Sequence, residues 1–303
     1  MAPTVTVEGR ELKLSNLDKV LYPAVGFTKG EVIDYYSRIA PVLLPHVRDR
    51  PLTLLRYPEG VEADHFYEKQ CPSHRPAWVR TVEVPSERSR SKKINYCLAD
   101  DLPTLVWLAN LASLEVHPLL ARAGDVTQPT SVVFDLDPGP PADVVACARV
   151  ALVVRDVLDD LGLAAFPKTS GKKGMQLHVP LNTPVTYERT KPFAGGLAQL
   201  LAQQRPKEIV SRMDKAVRKG RVFIDWSQND EHKTTVAVYS LRARERPAVS
   251  TPLSWDEVEE VADNGDASRL DFDAGAVLAR VDQRGDLYAA VAQLEQNLPA
   301  TPE

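Results

Sequence analysis

The sequence predicts a mixed α/β fold. Short apolar runs rich in β-branched and aromatic residues, such as Val132 to Phe134, are typical of buried strands. Between these runs lie stretches with apolar residues at helical spacing, such as Val144 to Leu161. The chain has 303 residues, of which 44% are hydrophobic, so it can bury a sizeable core in one large domain or two ordinary ones.

The first 120 residues predict a hairpin, two helices and several strands. Residues 5–15 form the hairpin pattern, and Thr28 with Glu31 has the capping-box spacing that begins a helix from Lys29 to about Pro41. Strands are predicted over residues 51–57 and 78–85. A buried helix is predicted over residues 102–115, and it places His117 just before Pro118.

The remainder predicts a β-rich core followed by an acidic helical segment. After the strand at 132–134, helices are predicted over 144–161, 187–204 and 207–219, and strands over 164–168, 175–180, 221–226 and 234–241. From residue 251 onward the pattern predicts helices over 255–262 and about 275–298.

Composition and charge narrow the functional classes. No apolar run reaches the roughly 18 residues that span a bilayer, and the N-terminal residues lack the layout of a secretory signal, so we expect a cytoplasmic protein. The net charge is −4, but residues 250–303 carry 12 acidic and 3 basic residues, which leaves 34 basic and 29 acidic residues in the rest. The clustered cations of that larger part are typical of a surface that follows a phosphate backbone, although solvated faces give the same pattern.

The three cysteines, Cys71, Cys97 and Cys147, are widely spaced and odd in number. This usage predicts reduced thiols rather than a disulfide framework. Cys71 and His74 have a spacing found in zinc sites, but no second close pair of ligands follows, so a zinc site is the weaker alternative.

Two carboxylates, Asp135 and Asp137, stand at the end of the strand that begins at Val132. Side chains two residues apart on a strand project from the same face, and two like charges repel unless a cation lies between them. Mg²⁺ and Mn²⁺ prefer such oxygen ligands. The alternative is that Asp137 starts a Pro-Gly turn and Asp135 is solvated. Asp225 lies in the apolar run 221–226, where a charge needs a partner, and is a third candidate ligand.

The loop SGKKG at residues 170–174 has the composition of a phosphate-binding loop. Gly171 and Gly174 allow close approach of backbone N–H groups, Ser170 adds a hydroxyl, and Lys172 and Lys173 add charge. Because the loop joins two predicted strands, it is not a nucleoside-triphosphatase P-loop. A basic hairpin turn remains the alternative.

In this order, the motifs resemble the archaeo-eukaryotic primase superfamily, and most closely the polymerase module of bacterial DNA ligase D and its stand-alone primase-polymerase relatives. The resemblance runs over nearly the whole chain, in the segments NLDKVLYP, FTKGEVIDYY, FYEKQ, LEVHP, VFDLDPG, TSGKKGMQLHVPL, RVFIDWSQN and KTTVAVYSLR. It implies a primase-polymerase fold in one domain, with an N-terminal α/β module (1–120), an RRM-like catalytic core (121–250) and an acidic helical segment (251–303).

The resemblance also implies a role for each matching residue. Asp135, Asp137 and Asp225 match the ligands of two divalent ions, Mn²⁺ or Mg²⁺. The residues that match nucleotide contacts are His117, Ser170, Gly171, Lys173, Gln176, Lys233 and Arg242. Lys19 and Lys29 match a pair that binds a downstream 5′-phosphate. The residues that match template or DNA contacts are Arg56, Phe66, Tyr67 and Arg218. For the two aromatic residues, packing at the edge of the core is the alternative. Arg218 matches an arginine of a mobile loop that is implicated in activating the metal site.

Three features depart from the resemblance. Gln176 stands where most relatives carry histidine, and a glutamine can hydrogen-bond a phosphate or hydroxyl but cannot carry charge, so we expect altered triphosphate affinity or sugar preference. The segment between His117 and Asp135 is short and the segment from Arg88 to Lys93 is more basic than in relatives. Both changes predict altered handling of DNA ends.

The implied function is a template-dependent DNA/RNA polymerase of repair, a nucleotidyltransferase that extends primers and fills short gaps beside a 5′-phosphate, in end joining or excision repair. Ribonucleotides are the expected preferred substrates. The expected partners are DNA with a gap, nick or 3′ overhang, NTPs or dNTPs, a DNA ligase and an end-binding protein, with association to the nucleoid. The alternatives are a primase that starts chains de novo, a non-catalytic module that binds 5′-phosphorylated ends, and a two-metal nuclease, for which a triphosphate-binding loop has no purpose. A stand-alone polymerase and one domain of a larger ligase are both compatible with the sequence.

Overall fold

The computed structural model describes residues 3–86, 89 and 91–300. The basic residues Arg88 and Arg90 of the predicted end-handling segment lie outside this range. No helix of the described part is long and apolar enough to cross a membrane.

Within the described residues, the strands and helices alternate along the chain as the mixed α/β prediction requires. The strands are β1 (Thr4–Val7), β2 (Arg10–Lys13), β3 (Val20–Tyr22), β4 (Phe27–Thr28), β5 (Leu52–Arg56), β6 (Phe66–Glu68), β7 (Thr81–Pro85), β8 (Lys93–Cys97), β9 (Ser113–Pro118), β10 (Ala121–Arg122), β11 (Asp125–Pro129), β12 (Ser131–Pro138), β13 (Phe166–Thr169), β14 (Met175–Pro180), β15 (Ile209–Val210), β16 (Val222–Asp225), β17 (Leu241–Arg242) and β18 (Ala248–Val249). The α-helices are α1 (Lys29–Val47), α2 (Leu102–Asn110), α3 (Val144–Asp160), α4 (Tyr187–Gln204), α5 (Trp255–Asn264), α6 (Ala274–Arg284) and α7 (Ala289–Gln293). Short 3-10 helices cover Pro23–Val25, Lys215–Val217, Trp226–Gln228 and Ala267–Leu270.

The chain folds into two compact units, each assembled from three segments. The first unit comprises Met1–Val126, Thr234–Val249 and Asp273–Gly285, and the second comprises Thr127–Lys233, Ser250–Phe272 and Asp286–Glu303. The three-part division at residues 120 and 250 stays a prediction of domain organisation.

The first unit is built on a sheet in which β6, β5, β8 and β7 are neighbours and β9 also pairs with β5. Helix α1 begins with the predicted capping box, in which Thr28 and Glu31 satisfy each other's backbone N–H groups. It continues past Pro41 to Val47 because Leu43 and Val47 extend its buried face.

Two tyrosines of α1 tie this helix to distant strands of the first unit. The Tyr36 hydroxyl donates a hydrogen bond to the Leu114 carbonyl oxygen at 2.6 Å, and the Tyr35 hydroxyl donates one to the Tyr239 carbonyl oxygen at 2.8 Å. Both side chains are buried, so the bonds are shielded from water and fix the segment that leads into β17.

The second unit contains a five-stranded sheet in the order β13-β14-β12-β16-β15. All of its pairs are antiparallel except β15 with β16. Helices α3, α4 and α5 pack over one side of this sheet, and the shared core is a single apolar cluster that includes Val132, Phe134, Leu136, Val154, Leu177, Leu197, Ile224 and Val258. The core fixes the strand register, because a one-residue slip would turn every apolar side chain away from it.

The helix predicted over residues 102–115 was wrong in its second half. Helix α2 ends at Asn110, Ala112 adopts a positive φ of 56°, and the chain continues as β9. Residues 113–118 form a strand because β9 pairs with β5 over five residue pairs, and this tertiary pairing overrides the local helical pattern. His117 therefore lies within a strand and not at a helix end.

Three other predicted elements were also wrong in part. The basic helix over 207–219 is replaced by β15 and a 3-10 helix, because Ile209 and Val210 are buried and pair with β16. The strand over 234–241 is reduced to β17, since Tyr239 has a φ of 64° that interrupts an extended chain. The helix over 275–298 is split into α6 and α7, because α6 ends where Gly285 adopts a positive φ.

The prediction of reduced thiols was wrong for two of the three cysteines. Cys71 and Cys97 form a disulfide with a Cα–Cα distance of 4.9 Å, and Cys147 is a buried free thiol. The hydrogen bond from Cys71 N to Asn95 O, 2.7 Å long, aligns the 71 segment with β8 and brings the two sulfurs together. A disulfide-bonded Cys71 is not a zinc ligand, so the weaker alternative is also excluded.

Candidate active site

Four polar side chains form one row across the sheet of the second unit. Asp225 on β16 lies opposite Asp135 on β12, Asp135 lies opposite Gln176 on β14, and Gln176 lies opposite Lys168 on β13. Residues directly opposite one another on neighbouring strands project from the same face of a sheet. Asp137 projects from this face too, because it lies two residues from Asp135 on the same strand. The sheet register therefore gathers the three predicted carboxylates on one face.

A buried lysine supports this row from its far end. The Lys168 side chain is fully buried, and its Nζ donates hydrogen bonds to Gln176 Oε1 at 2.6 Å and to Ser250 Oγ at 2.7 Å. Because Gln176 accepts with its oxygen, its amide nitrogen is turned towards Asp135, to which it donates a hydrogen bond. Gln176 is buried and acts here as a bridge between Lys168 and Asp135.

The electrostatics of the row favour a bound cation. Burial, followed by the charges of Asp137 and Asp225, raises the pKa of Asp135 to about 7, although Gln176 and Lys168 act in the opposite direction. Burial and Asp225 also raise the pKa of Asp137, against the effect of Arg218. Carboxylates that repel one another in this way are stabilised by a cation held between them.

Asp225 is used as a helix cap in the present arrangement. Its Oδ1 accepts hydrogen bonds from Ser227 N at 2.9 Å and Ser227 Oγ at 2.5 Å, and its Oδ2 accepts one from Gln228 Nε2 at 3.1 Å. Accordingly, the described residues contain no group of three His, Cys, Asp or Glu side chains arranged to hold a metal ion. The donor chemistry suits Mg²⁺ or Mn²⁺, and Asp225 Oδ2, which accepts the hydrogen bond from Gln228, has a further lone pair for a cation.

Arg218 lies beside the carboxylates rather than in a helix. Its guanidinium carbon is 3.7 Å from the centre of the Phe223 ring, and Phe223 is the residue opposite Asp137. Its Nη2 donates a hydrogen bond to the Met213 carbonyl oxygen at 2.7 Å. The loop is held close to β12, because a Cβ added to Gly139 would lie 2.0 Å from the Arg218 carbonyl oxygen. Only glycine permits this approach.

The loop Ser170–Gly174 is closed by its own serine. The Ser170 hydroxyl accepts hydrogen bonds from the backbone N–H groups of Lys172 at 3.3 Å and Gly174 at 3.1 Å, and Ser170 N donates to Gly174 O at 2.9 Å. A Cβ on Gly174 would lie 2.0 Å from the Leu136 carbonyl oxygen. The loop is therefore pressed against the strand that carries the carboxylates, with Lys172 and Lys173 exposed and Gly171 at a φ of 70°.

Two further residues connect to Asp225 and β12. The Lys233 ammonium donates a hydrogen bond to Ser227 Oγ, which itself donates to Asp225. The fully buried Asn229 exchanges hydrogen bonds with the backbone of Val133, at 2.9 Å with its nitrogen and 2.8 Å with its carbonyl oxygen. The Asn229 amide thus continues the pairing of β12 beyond the end of β16.

In the first unit, a buried glutamate connects two of the predicted nucleotide-binding residues. Glu115 Oε2 lies 2.9 Å from His117 Nε2 and 3.2 Å from Arg242 Nε, and Glu115 Oε1 accepts a hydrogen bond from Ala243 N at 3.0 Å. Glu115 has no exposed surface. The structure therefore brings His117 and Arg242 together on one carboxylate, and their contact with a nucleotide stays a prediction.

Lys19 and Lys29 lie together at the N-terminus of α1. Burial, and then the charge of Lys19, lowers the pKa of Lys29 to about 8. Lys29 Nζ donates to Ser15 Oγ at 3.1 Å, and Lys19 pairs with Glu59 at 2.7 Å. Two cations at the positive end of a helix macrodipole form a favourable site for an anion such as phosphate.

The predicted template contacts differ in their surroundings. Phe66 and Tyr67 are 60% and 57% exposed on β6, at the edge of the sheet, as a stacking platform requires. Arg56 is instead half-buried, pairs with Glu68 at 2.8 Å and donates to the Leu111 carbonyl oxygen at 3.1 Å. A contact of Arg56 with DNA would require these bonds to be exchanged.

Comparison with known proteins identifies the family. A sequence model described as the LigD primase-polymerase domain matches residues 28–288. The chain belongs to this LigD primase-polymerase family. The polymerase domain of Mycobacterium tuberculosis ligase D, solved in complex with DNA, superimposes on the chain with a TM-score of 0.87 at 39% identity, covering 94% of this chain and 99% of that one. The LigD primase-polymerase fold is thereby established for this chain, and the family is one of nucleotidyltransferase domains.

The relatives among curated proteins are larger. The multifunctional non-homologous end joining protein LigD of Mycolicibacterium smegmatis is 43% identical over 280 residues, which are 92% of this chain and 36% of that protein. The bifunctional LigD of Bacillus subtilis is 30% identical over 250 residues, or 82% of this chain and 40% of that protein. The chain thus spans less than half the length of these relatives.

The sequence analysis of this LigD-type domain missed the roles of Glu115, Lys168 and Asn229. Glu115 and Lys168 both stand in apolar strands, and the argument applied to Asp225, that such a charge needs a partner, would have singled them out. Asn229 carried no comparable signal, because an isolated asparagine is typical of a turn.

Proposed function

We propose that this domain is a template-dependent polymerase that acts in end joining. It extends a primer 3′ end by adding nucleotides opposite a template strand, in short gaps that end at a 5′-phosphate. The single observation that carries the proposal is the row that sets Asp135 opposite Asp225 in a domain 39% identical to a DNA-bound ligase D polymerase domain.

The proposed reaction is a single displacement at phosphorus. The primer 3′-hydroxyl loses its proton and attacks the α-phosphorus of the incoming triphosphate, a new O–P bond forms, and the bond to pyrophosphate breaks. Two divalent cations, with Asp135, Asp137 and Asp225 as ligands, would lower the pKa of the hydroxyl and stabilise the charge of the leaving pyrophosphate. The raised pKa of Asp135 supports this assignment, because it reflects burial first and then the negative charges of Asp137 and Asp225, which a bound cation would offset.

The proposed triphosphate contacts lie in the loop at residues 170–174 of the second unit. Gly171 and Lys173 supply backbone N–H groups, Ser170 its hydroxyl and Lys173 its charge, in the loop that is packed against β12. Gln176 supports the site indirectly, since its side chain is buried between Lys168 and Asp135. We therefore assign Gln176 to the support of Asp135 and leave the triphosphate contact to the loop, with Lys233 beside Asp225.

The proposed DNA contacts lie in the first unit. Lys19 and Lys29 bind the 5′-phosphate at the α1 N-terminus, and Phe66 and Tyr67 stack on template bases. Ribonucleotide preference is part of the proposal, with His117 near the 2′-hydroxyl. A DNA ligase and an end-binding protein are the proposed protein partners, as the end-joining relatives suggest.

The decisive test is a primer-extension reaction on a gapped duplex. The primer is labelled, the gap ends in a 5′-phosphate or a 5′-hydroxyl, and NTPs are compared with dNTPs in Mn²⁺. The wild type should add nucleotides, and Asp135→Ala and Asp225→Ala should abolish addition, while the exposed Asp160→Asn on α3 should not change it. Lys19→Ala should remove the advantage of the 5′-phosphate, and Lys13→Ala, at an exposed lysine of β2 in the same unit, should retain it.

Other results would favour the alternatives. Chain synthesis from a single-stranded template without primer would identify a primase. Binding of the 5′-phosphorylated end with no extension would identify a non-catalytic module, and shortening of the primer would identify a nuclease. Extension by Asp135→Ala at the wild-type rate would contradict the proposed polymerase site.

A further inference from the structure

Glu115 is a buried carboxylate to which the proposed chemistry gives no direct task. It lies on β9, two residues before His117 and on the same face, because Glu115 is opposite Leu55 and His117 is opposite Thr53 on β5. A buried carboxylate is costly unless donors surround it. Its position in the first unit therefore needs a reason.

The donors around Glu115 come from two separate parts of the chain. His117 belongs to the same strand, whereas Arg242 and Ala243 follow 127 and 128 residues later. The segment that carries Arg242 is itself held in place, because the Tyr22 hydroxyl donates to the Arg242 carbonyl oxygen at 3.3 Å. One carboxylate thus joins an imidazole and a guanidinium from distant parts of the chain.

The contacts with Glu115 also determine the tautomer of the His117 ring and the position of the Arg242 guanidinium group. An ionised carboxylate only accepts hydrogen bonds, so His117 Nε2 carries the hydrogen that points at Glu115. The hydrogen bond made by one ring nitrogen fixes the tautomer and the plane of a histidine. Arg242 Nε lies 3.2 Å from the same oxygen, so this ion pair holds the guanidinium group beside Glu115.

We infer that Glu115 is a positioning residue for nucleotide binding: it holds His117 as the Nε2–H tautomer and aligns Arg242, so that both meet the incoming nucleotide in one fixed geometry. This inference rests on the proposed function. It assigns the nucleotide, and not the DNA, as the ligand whose affinity depends on Glu115, because the two side chains that contact this carboxylate at 2.9 and 3.2 Å, His117 and Arg242, are proposed nucleotide contacts.

The test compares Glu115→Gln with the wild type in the full chain. The amide keeps the size of the side chain but removes its charge and one acceptor. We expect the affinity for a non-hydrolysable NTP to fall on the order of 10- to 100-fold, as misplacement of a positioned group does, with affinity for gapped DNA unchanged. The matched control is Asp101→Asn, which makes the same change at a partly buried carboxylate paired with Arg10 at 2.6 Å in the same unit.

A spectroscopic measurement makes the inference testable even if Glu115→Gln folds poorly. In the ¹⁵N spectrum of the wild type, His117 should show the Nε2–H form, and Glu115→Asp, which keeps the charge but draws it back, should show a mixture of tautomers. A wild-type Nδ1–H tautomer would overturn the inference. So would a folded Glu115→Gln protein with wild-type NTP affinity, or an equal loss of affinity for NTP and DNA.

Failure of the proposed function would have a different signature. A wild-type protein that binds no NTP would overturn the polymerase proposal and the positioning role with it. A wild-type protein that binds NTP and extends primers, with a Glu115→Gln variant equal to it in both respects, would overturn the positioning role alone.

Discussion

Replacing Asp135 by asparagine should stabilise the metal-free protein at neutral pH, even though it removes a proposed metal ligand. Burial and the neighbouring carboxylates raise the pKa of Asp135 from 3.8 to about 7. A carboxyl group whose pKa is raised on folding stabilises the folded protein most below the pKa that the group has in the unfolded chain. This stabilisation is lost as the pH rises towards the pKa in the folded state. The free energy of unfolding of the wild type should therefore decline between about pH 4 and pH 7 relative to Asp135→Asn.

The size of the effect follows from the pKa. One unit corresponds to about 1.4 kcal/mol, so the rise to about 7 costs the folded state up to about 4 kcal/mol at pH 8. The Asp135 side chain retains some solvent-accessible surface, so screening by water reduces this cost. We therefore expect Asp135→Asn to raise the free energy of unfolding at about pH 8 by about 2 kcal/mol. At about pH 3.5 the variant and the wild type should differ by less than about 0.5 kcal/mol, because Asp135 is then largely neutral in the folded and the unfolded states.

Urea unfolding in the presence of EDTA, at about pH 3.5 and at about pH 8, near the two ends of the titration, measures this difference. Asp160→Asn is the control, since it neutralises an exposed carboxylate of the same unit and should give no pH-dependent gain. The reasoning fails if Asp135→Asn is less stable than the wild type at pH 8, or if its advantage is the same at both pH values.

Three further predictions concern other parts of the chain. Burial and Lys19 lower the pKa of Lys29 to about 8, so the wild type should gain stability relative to Lys29→Met as the pH rises from about 8 to about 10, while its preference for a 5′-phosphate declines over that range. Gly174→Ala should displace the Ser170 loop and weaken NTP binding at least about 10-fold, whereas Gly196→Ala, in open space on α4, should be neutral or stabilising by up to about 1 kcal/mol. Reduction of the Cys71–Cys97 disulfide, which closes 26 residues, should lower the free energy of unfolding by about 3 kcal/mol.

Each of these has a direct measurement. For Lys29, urea unfolding and gap filling are followed across the pH range, and a pH-independent difference from the methionine variant would contradict the lowered pKa. For Gly174, NTP titration is compared between the two alanine variants, and equal affinities would show that the loop tolerates a Cβ. For the disulfide, thiol titration of the denatured, unreduced chain should find one thiol, and three thiols would show that the bond is absent.

The local features of this protein could be predicted from the sequence because they depend on neighbouring residues. The capping box of α1, the strand with Asp135 and Asp137 and the strand β14 were all predicted, since each is determined by residue types a few positions apart. The family segments could be read in the same way, and the family assignment follows from them. The elements that failed, such as β9, are those in which a partner strand overrode the local pattern.

The partners of the site residues were determined only by the tertiary structure. Lys168 meets Ser250, 82 residues later, and Glu115 meets Ala243, 128 residues later, so neither bond leaves a trace in the local pattern. The role of Gln176 changed for the same reason: in sequence it stands in a phosphate-binding motif, but the sheet register places it between Lys168 and Asp135. Residue types and short spacings, which the sequence contains, decided which chemistry this chain can perform, whereas strand pairing decided which charges face one another, because long-range register is set by the packing of the whole core.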